Sequence, residues 1–441
     1  MGLVLLVHLG VRWSLGPPNL FGDEAQFYLQ TAAEDDHAGR HSLLPGTLDF
    51  DHRLRLPSRL FANLRVDGDY AATFRRVEAL FITLIVLTAG LVWAQARLLG
   101  LGPWTSAGAG ALATLFPAQA FHAHAFWPEV PHAFLLSLAL IGILAYLRGR
   151  SVGWLLAGGV SMGFALLMKS VLQGFLPIVL LFLVIHALRD RQSAGQGIAF
   201  RLAAPGFFVV GVVLVIGPQL LKNVSDGHGA RLSANRWWNL ELGLTPLPRI
   251  SQLRVEQGLA SGTVKPEEVR WLPLMKSTLE YMGAAKGPLE RERLARKRTL
   301  SYLQERGAFG ALRDQVAKFW RTVVFDASCL EQSALERGRW GKPGPAWLVA
   351  LQRPARFLWW GLLLTATVGF FLSARRSAGW FLVGLLLLYI SGTVLLIPMK
   401  FRFFLPALLP MSLFAAALSG RRRTTGGPSD ASRVEAPPLA S

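Results

Sequence analysis

Long blocks of apolar residues decide what this chain can become. Leu80–Val92, Phe134–Tyr146, Val171–His186, Phe207–Ile216, Leu358–Leu372 and Phe381–Ile397 carry almost no charge. With their flanks they approach the roughly 20 residues that a helix needs to cross a bilayer. In hydrocarbon a backbone must satisfy its own hydrogen bonds, and a helix does so within one segment. A large buried all-α core would not repeat such blocks so often. The bulk figures agree: of 441 residues, 52% are hydrophobic and only 17% charged, where a soluble chain carries about a quarter.

The blocks predict an all-α polytopic membrane protein of about ten transmembrane helices with two large extracytoplasmic segments. The expected helices cover 1–11, 77–96, 104–121, 130–147, 152–168, 171–188, 203–221, 356–374, 378–397 and 403–419. The first is too short to cross ~30 Å of hydrocarbon. It has neither a charged leader nor a cleavage site, so the expectation is a true start upstream of Met1, or a half-length helix shielded by its neighbours. Residues 1–221, with an outer loop at 12–76, are expected to form an N-terminal transmembrane module. An extracytoplasmic region (222–355) follows, then C-terminal transmembrane helices (356–420). The Pro/Ser/Ala-rich tail, 421–441, reads as disordered and cytoplasmic.

A net charge of +19 would suit nucleic acid, but its distribution excludes that partner. With the 12–76 loop outside, the inner connections hold Arg97; Arg148 and Arg150; Arg189, Arg191 and Arg201; Arg375 and Arg376; and Arg421, Arg422 and Arg423. Every one is basic, as the positive-inside rule requires. This orients the protein in its membrane with the large segments outside. The charged run LERERLARKR at 289–298 reads as a solvated face or a strip on anionic headgroups. The single cysteine, Cys329, excludes an intramolecular disulfide and a cysteine-based metal site.

Polar residues that topology does not need are the informative ones. GDEAQFYLQTA opens the first outer loop with Asp23 and Glu24. Adjacent carboxylates above a membrane serve as a general base, a metal ligand or a helix cap, and Asp23 with Gln26 three residues on also fits a capping box. A second acid, Glu129, lies in FHAHAFWPEVPHAF among His122, His124, Trp127 and His132. It suits a helix N-terminal dipole, while His122, His124 and Glu129 also offer metal-ligand chemistry at an unspecific spacing. Three cations break the positive-inside pattern: Lys169 in ALLMKSVL, and Lys400 and Arg402 in IPMKFRFFLP. A cation near the outer membrane plane costs several kcal/mol unless paired. A phosphate on a lipid carrier is a natural partner; snorkelling to ordinary headgroups is the alternative.

These pieces together resemble the GT-C superfamily of polytopic glycosyltransferases, in the branch of protein O-mannosyltransferases and bacterial aminoarabinose transferases. GDEAQFYLQTA is similar to the Asp-Glu motif of the first outer loop. TFRRVEALFITLIVLTAGLVWAQARLLG looks like the Arg-led second span. ATLFPAQAFHAHAFWPEVPHAFLLSLAL resembles the Pro-containing third span, second acidic loop and fourth span. GFALLMKSVLQGFLPIVLLF matches the Lys between two spans. GPQLLKNVSDGHGARLSANRWWNLELGL resembles an outer-loop opening of bacterial relatives, and PMKFRFFLPALLPMSLFAAAL their final span. The short first span departs from the pattern, as does the large outer region lying between spans rather than after the last.

The resemblance implies a polyprenyl-phosphate-linked sugar donor, an inverting transfer, and a protein, lipid or glycan acceptor. Asp23 would be the general base, with Glu24 and Glu129 orienting acceptor or sugar. Lys169, Lys400 and Arg402 would bind the departing lipid phosphate. No metal ligand is assigned, although a divalent ion is compatible with the chemistry. A lipid-linked saccharide transporter or flippase is one rival, and would show inverted repeats around midplane charges; none is evident. A catalytically inactive membrane scaffold and an enzyme like the O-antigen ligases are the others.

Overall fold

The computed structural model describes residues 1–15, 60, 63–64, 69–124, 128–149, 151–189, 198–225, 227, 229–232, 236–244, 288–320, 323, 346–396 and 401–419. Among them there is no strand. In chain order the helices are α1 (Gly2–Leu15), α2 (Tyr70–Leu98), α3 (Pro103–Leu115), α4 (Pro117–His122), α5 (Glu129–Gly149), α6 (Val152–Met168), α7 (Phe175–Arg189), α8 (Ile198–Ser225), α9 (Arg236–Leu244), α10 (Pro288–Arg306), α11 (Ala308–Phe319), α12 (Ala346–Ser373), α13 (Ala378–Leu396) and α14 (Leu408–Ser419). Short 3₁₀ segments, Ser170–Gly174 and Phe401–Ala407, lead into α7 and α14.

Six helical stretches are long and apolar enough to cross a membrane: Ala72–Leu98, Glu129–Gly149, Ser170–Arg189, Leu202–Ser225, Ala350–Ser373 and Ala378–Leu396. Their outward faces are apolar as well. On α12, Phe357, Leu364 and Phe371 recur every seven residues and are 68%, 67% and 73% exposed. A stripe of that kind faces lipid, not water. This is an integral membrane protein.

The other apolar segments named from sequence are helical but shorter. The expected third span is broken in two where Pro117, lacking an N–H, starts a new helix after Phe116. Helix α6 has 17 residues and stops at Lys169, whose backbone is extended at φ −155° and ψ 114°. Helix α14 has 12 residues behind a 3₁₀ turn that contains Pro406. The first helix, Gly2–Leu15, runs to 14 residues.

Small residues set how closely the bundle packs. Helix α6 lies between α5 and α8. A methyl added at Gly142 of α5 would lie 2.6 Å from Gly158 Cα and Trp154 O on α6. Gly159 of α6 and Gly211 of α8 meet the opposing backbones in the same way. Lipid supplies no hydrophobic drive between helices, so such backbone-to-backbone approach, with its dispersion contacts, holds the three together. A buried Gln95 on α2 adds a polar tie, donating to Ser137 O of α5 at 2.9 Å.

The charged stretch 289–298 is not simply a solvated face. It lies in α10, where Glu292, Ala295 and Thr299 are buried and α9 packs alongside. Glu292 accepts the Trp237 backbone N–H at 2.9 Å, Arg298 pairs with Glu241 at 3.3 Å, and Arg296 stacks over the Trp237 ring. Only the remaining arc of α10 is left for water or headgroups.

Candidate active site

Helices α5 and α6 run antiparallel, so the start of one and the end of the other share an end of the bundle. Glu129 opens α5, where a carboxylate complements the positive pole of the helix. Lys169 caps α6 in extended backbone, which turns its side chain out of the helix register. The Lys169 ammonium donates to Glu129 Oε1 at 2.9 Å, with the carboxylate side chain 2% exposed and the lysine 14%. One turn along α5, His132 is fully buried, and neither ring nitrogen has a hydrogen-bond partner among the described residues. It lies within electrostatic reach of both charges. The 3₁₀ segment Phe401–Ala407, whose backbone includes Arg402, packs against α4, α5 and α13.

A second cluster, centred on the buried Glu78, stands at the same end. Glu78 of α2 is bound by Arg12 Nε at 3.1 Å and by His124 Nδ1 at 2.7 Å. His124 Nε2 lies 3.5 Å from Nδ1 of the fully buried His8 of α1. His124 Nδ1 donates to Glu78, which leaves Nε2 facing the His8 ring. Glu78 hides in sequence inside the Arg-led stretch TFRRVEAL, as one acid among apolar residues. A signal was there: a lone carboxylate inside a membrane span needs a partner.

The three residues that offered metal-ligand chemistry in sequence are turned to different partners. His124 turns to Glu78, Glu129 turns to Lys169, and His122 Nδ1 donates to Ala118 O at 2.7 Å within its own helix. Among the described residues no three His, Cys, Asp or Glu side chains are grouped to hold a metal ion. Of the expected site residues, then, Glu129 and Lys169 are brought together. Asp23, Glu24 and Lys400 lie outside the described residues, as does the side chain of Arg402.

Membrane-length helices around a buried acid–lysine pair define a polytopic membrane protein with a charged centre at one end of its bundle. The chain is similar to a crystal structure of ArnT from Cupriavidus metallidurans bound to undecaprenyl phosphate. The TM-score is 0.42 at 17% sequence identity, over 95% of this chain and 77% of that one. The apo-state crystal structure of the same protein gives 0.40 and 19%, over 94% and 77%. No family model and no curated protein matches the chain.

Proposed function

We propose that the chain is an inverting glycosyltransferase that moves a sugar from a polyprenyl-phosphate donor to an acceptor at the outer face of a bacterial plasma membrane. In this reading the ten apolar segments all cross or enter the bilayer, and the Glu129 end faces outward. The observation that carries it is the buried Glu129–Lys169 pair, with the Arg402-bearing turn packed against α5. A buried ion pair recovers little net stability from its desolvation, so an arrangement of this kind suits function better than folding.

The chemistry is one displacement. The acceptor hydroxyl oxygen bonds to the anomeric carbon as the bond from that carbon to the donor's phosphate oxygen breaks. The hydroxyl proton passes to Asp23, and the lipid phosphate leaves with the bonding electron pair. Glu24 and Glu129 orient sugar or acceptor. Lys169, Lys400 and Arg402 stabilise the phosphate as its charge grows, Arg402 through two oxygens and each lysine as a point charge. The bilayer holds the donor's tail, which lowers the entropic cost of bringing phosphate to acid.

The test compares envelope lipids, glycans and proteins by mass spectrometry in cells making the chain, cells lacking it, and cells making Asp23→Asn. A sugar-sized mass increment on one acceptor should appear only with the unaltered chain. Equal modification by Asp23→Asn removes Asp23 as the base. With labelled donor in vesicles, a label that changes leaflet while still attached to its lipid would replace the transferase with a transporter.

A further inference from the structure

The opposite end of the same helices carries a different kind of site. Helix α2 ends with a turn in which Gly100, at φ +88°, lets Gly100 N–H reach Arg97 O at 3.0 Å and Leu101 N–H reach Ala96 O at 2.9 Å. That turn aims Leu101 O back at the helix, where Arg97 Nη1 donates to it at 2.6 Å. From the end of α5, Arg148 Nη1 donates to Arg97 O at 3.3 Å. Two guanidiniums thereby line one cleft, each oriented by one bond to a backbone carbonyl. Neither has a carboxylate partner within ion-pair distance among the described residues. They form one wall of a cleft of about 540 Å³, whose other walls are apolar: Trp93, Leu98, Ile141 and Trp154.

Two like charges brought together at a membrane-embedded rim repel each other, and an anion between them relieves the repulsion. The apolar walls then say what kind of anion. A phosphate with hydrocarbon attached can place its oxygens on Arg97 and Arg148 and its chain along Trp93 and Ile141. A small hydrated anion would gain nothing from those walls. Trp93 and Trp154, each nearly half exposed, stand where indole rings anchor at the headgroup level.

We infer that this cleft binds one anionic phospholipid, its phosphodiester held between Arg97 and Arg148 and its acyl chain laid against Trp93 and Ile141. The site is at the far end of the bundle from Glu129 and Lys169, and the inference does not depend on the transferase reading. The experiment is a thermal unfolding series on the full chain in neutral detergent. Phosphatidylglycerol, phosphatidylcholine and inorganic phosphate are titrated separately, and bound lipid is counted by native mass spectrometry. Phosphatidylglycerol should raise the midpoint saturably with one lipid retained, phosphatidylcholine should do so far less, and phosphate alone should do nothing. Arg97→Gln with Arg148→Gln should weaken the phosphatidylglycerol response at least about tenfold. Arg97→Lys with Arg148→Lys, which keeps charge but loses the two-pronged grip, should fall between them.

Equal responses to the two lipids, or a phosphatidylglycerol response that survives the double glutamine change, would overturn the inference. So would stabilisation by inorganic phosphate matching that by phosphatidylglycerol, which would mark a site for free anions. If the glutamine variant fails to fold, the wild-type comparison of the three ligands decides alone.

Discussion

The two ends of the bundle formed by α2, α5 and α6 present opposite electrostatic solutions. At one end Glu129 and Lys169 neutralise each other at 2.9 Å, almost entirely out of solvent. At the other, Arg97 and Arg148 lie together with only backbone carbonyls as hydrogen-bond partners among the described residues. The difference follows from burial. A charge sealed among helices must bring its counter-charge within the chain, because no mobile ion reaches it. A charge at an open, basic rim can borrow an anion from its surroundings. Each end is therefore sensitive to something different, one to the loss of an internal partner and the other to the lipid around it.

The largest effect is expected at the sealed end. Lys169→Met leaves the Glu129 carboxylate buried without its lysine, a change costing on the order of 3–5 kcal/mol where one partner of a buried pair is removed. The apparent unfolding midpoint of the purified protein should fall steeply. Adding Glu129→Gln should recover part of that loss, since a neutral amide needs less solvation, but should restore no sugar transfer. Arg97→Gln in neutral detergent should shift the midpoint far less. If the Arg97 change costs as much as the Lys169 change, the contrast between the ends is wrong.

Next in size is the cluster around Glu78, which sharpens the comparison because it is partly sealed. Arg12 is 38% exposed and can return to water, whereas His124 is buried and cannot. Glu78→Gln should therefore cost about 1–3 kcal/mol, the scale for a buried polar group that loses its charged partner. A midpoint within error of the wild type would mean that a neutral amide oxygen at position 78 serves His124 as well as the carboxylate does.

What the sequence disclosed and withheld divides along similar lines. The ten apolar segments were legible because the period and length of apolar residues are local properties, and each corresponds to helix among the described residues. Their interruptions were less legible. Pro117 broke the third segment in two, whereas the fifth ended at Met168, just before Lys169, as its expected bounds of 152–168 have it. Lys169 and Glu129 stood out as ionisable residues where topology needed none, but their mutual pairing across 40 positions is a tertiary fact. His124 was grouped with Glu129 because they are neighbours in sequence. Its partner Glu78 lies 46 positions away on another helix, and only tertiary packing brings them together. The inward face of α10 was hidden for the opposite reason. In LERERLARKR the charges are so dense that the arc formed by Glu292, Ala295 and Thr299 does not look like a packing surface.

That inward face gives the smallest prediction, and it extends the comparison outside the membrane-spanning helices. Burial pushes the Glu241 carboxyl above its ordinary value of 4.5, and Arg298 beside it pulls the other way. A carboxyl raised in the folded state binds its proton more tightly there than in the unfolded chain. Its contribution to stability is therefore present below about 4.5 and is lost as pH rises through the folded value. At neutral pH, Arg298 offsets that loss. Arg298→Met should lower stability at pH 7 by about 1 kcal/mol or less, as for a half-open ion pair. The deficit should shrink as pH falls through the carboxylate range, where protonated Glu241 no longer needs a cation. In a Glu241→Gln background, Arg298→Met should produce a deficit with little dependence on pH over that range. Midpoints of the four proteins measured from pH 7 down to pH 4 separate the cases. A deficit in Arg298→Met that stays constant with pH would show that Arg298 acts through packing against α9, and not through the charge of Glu241.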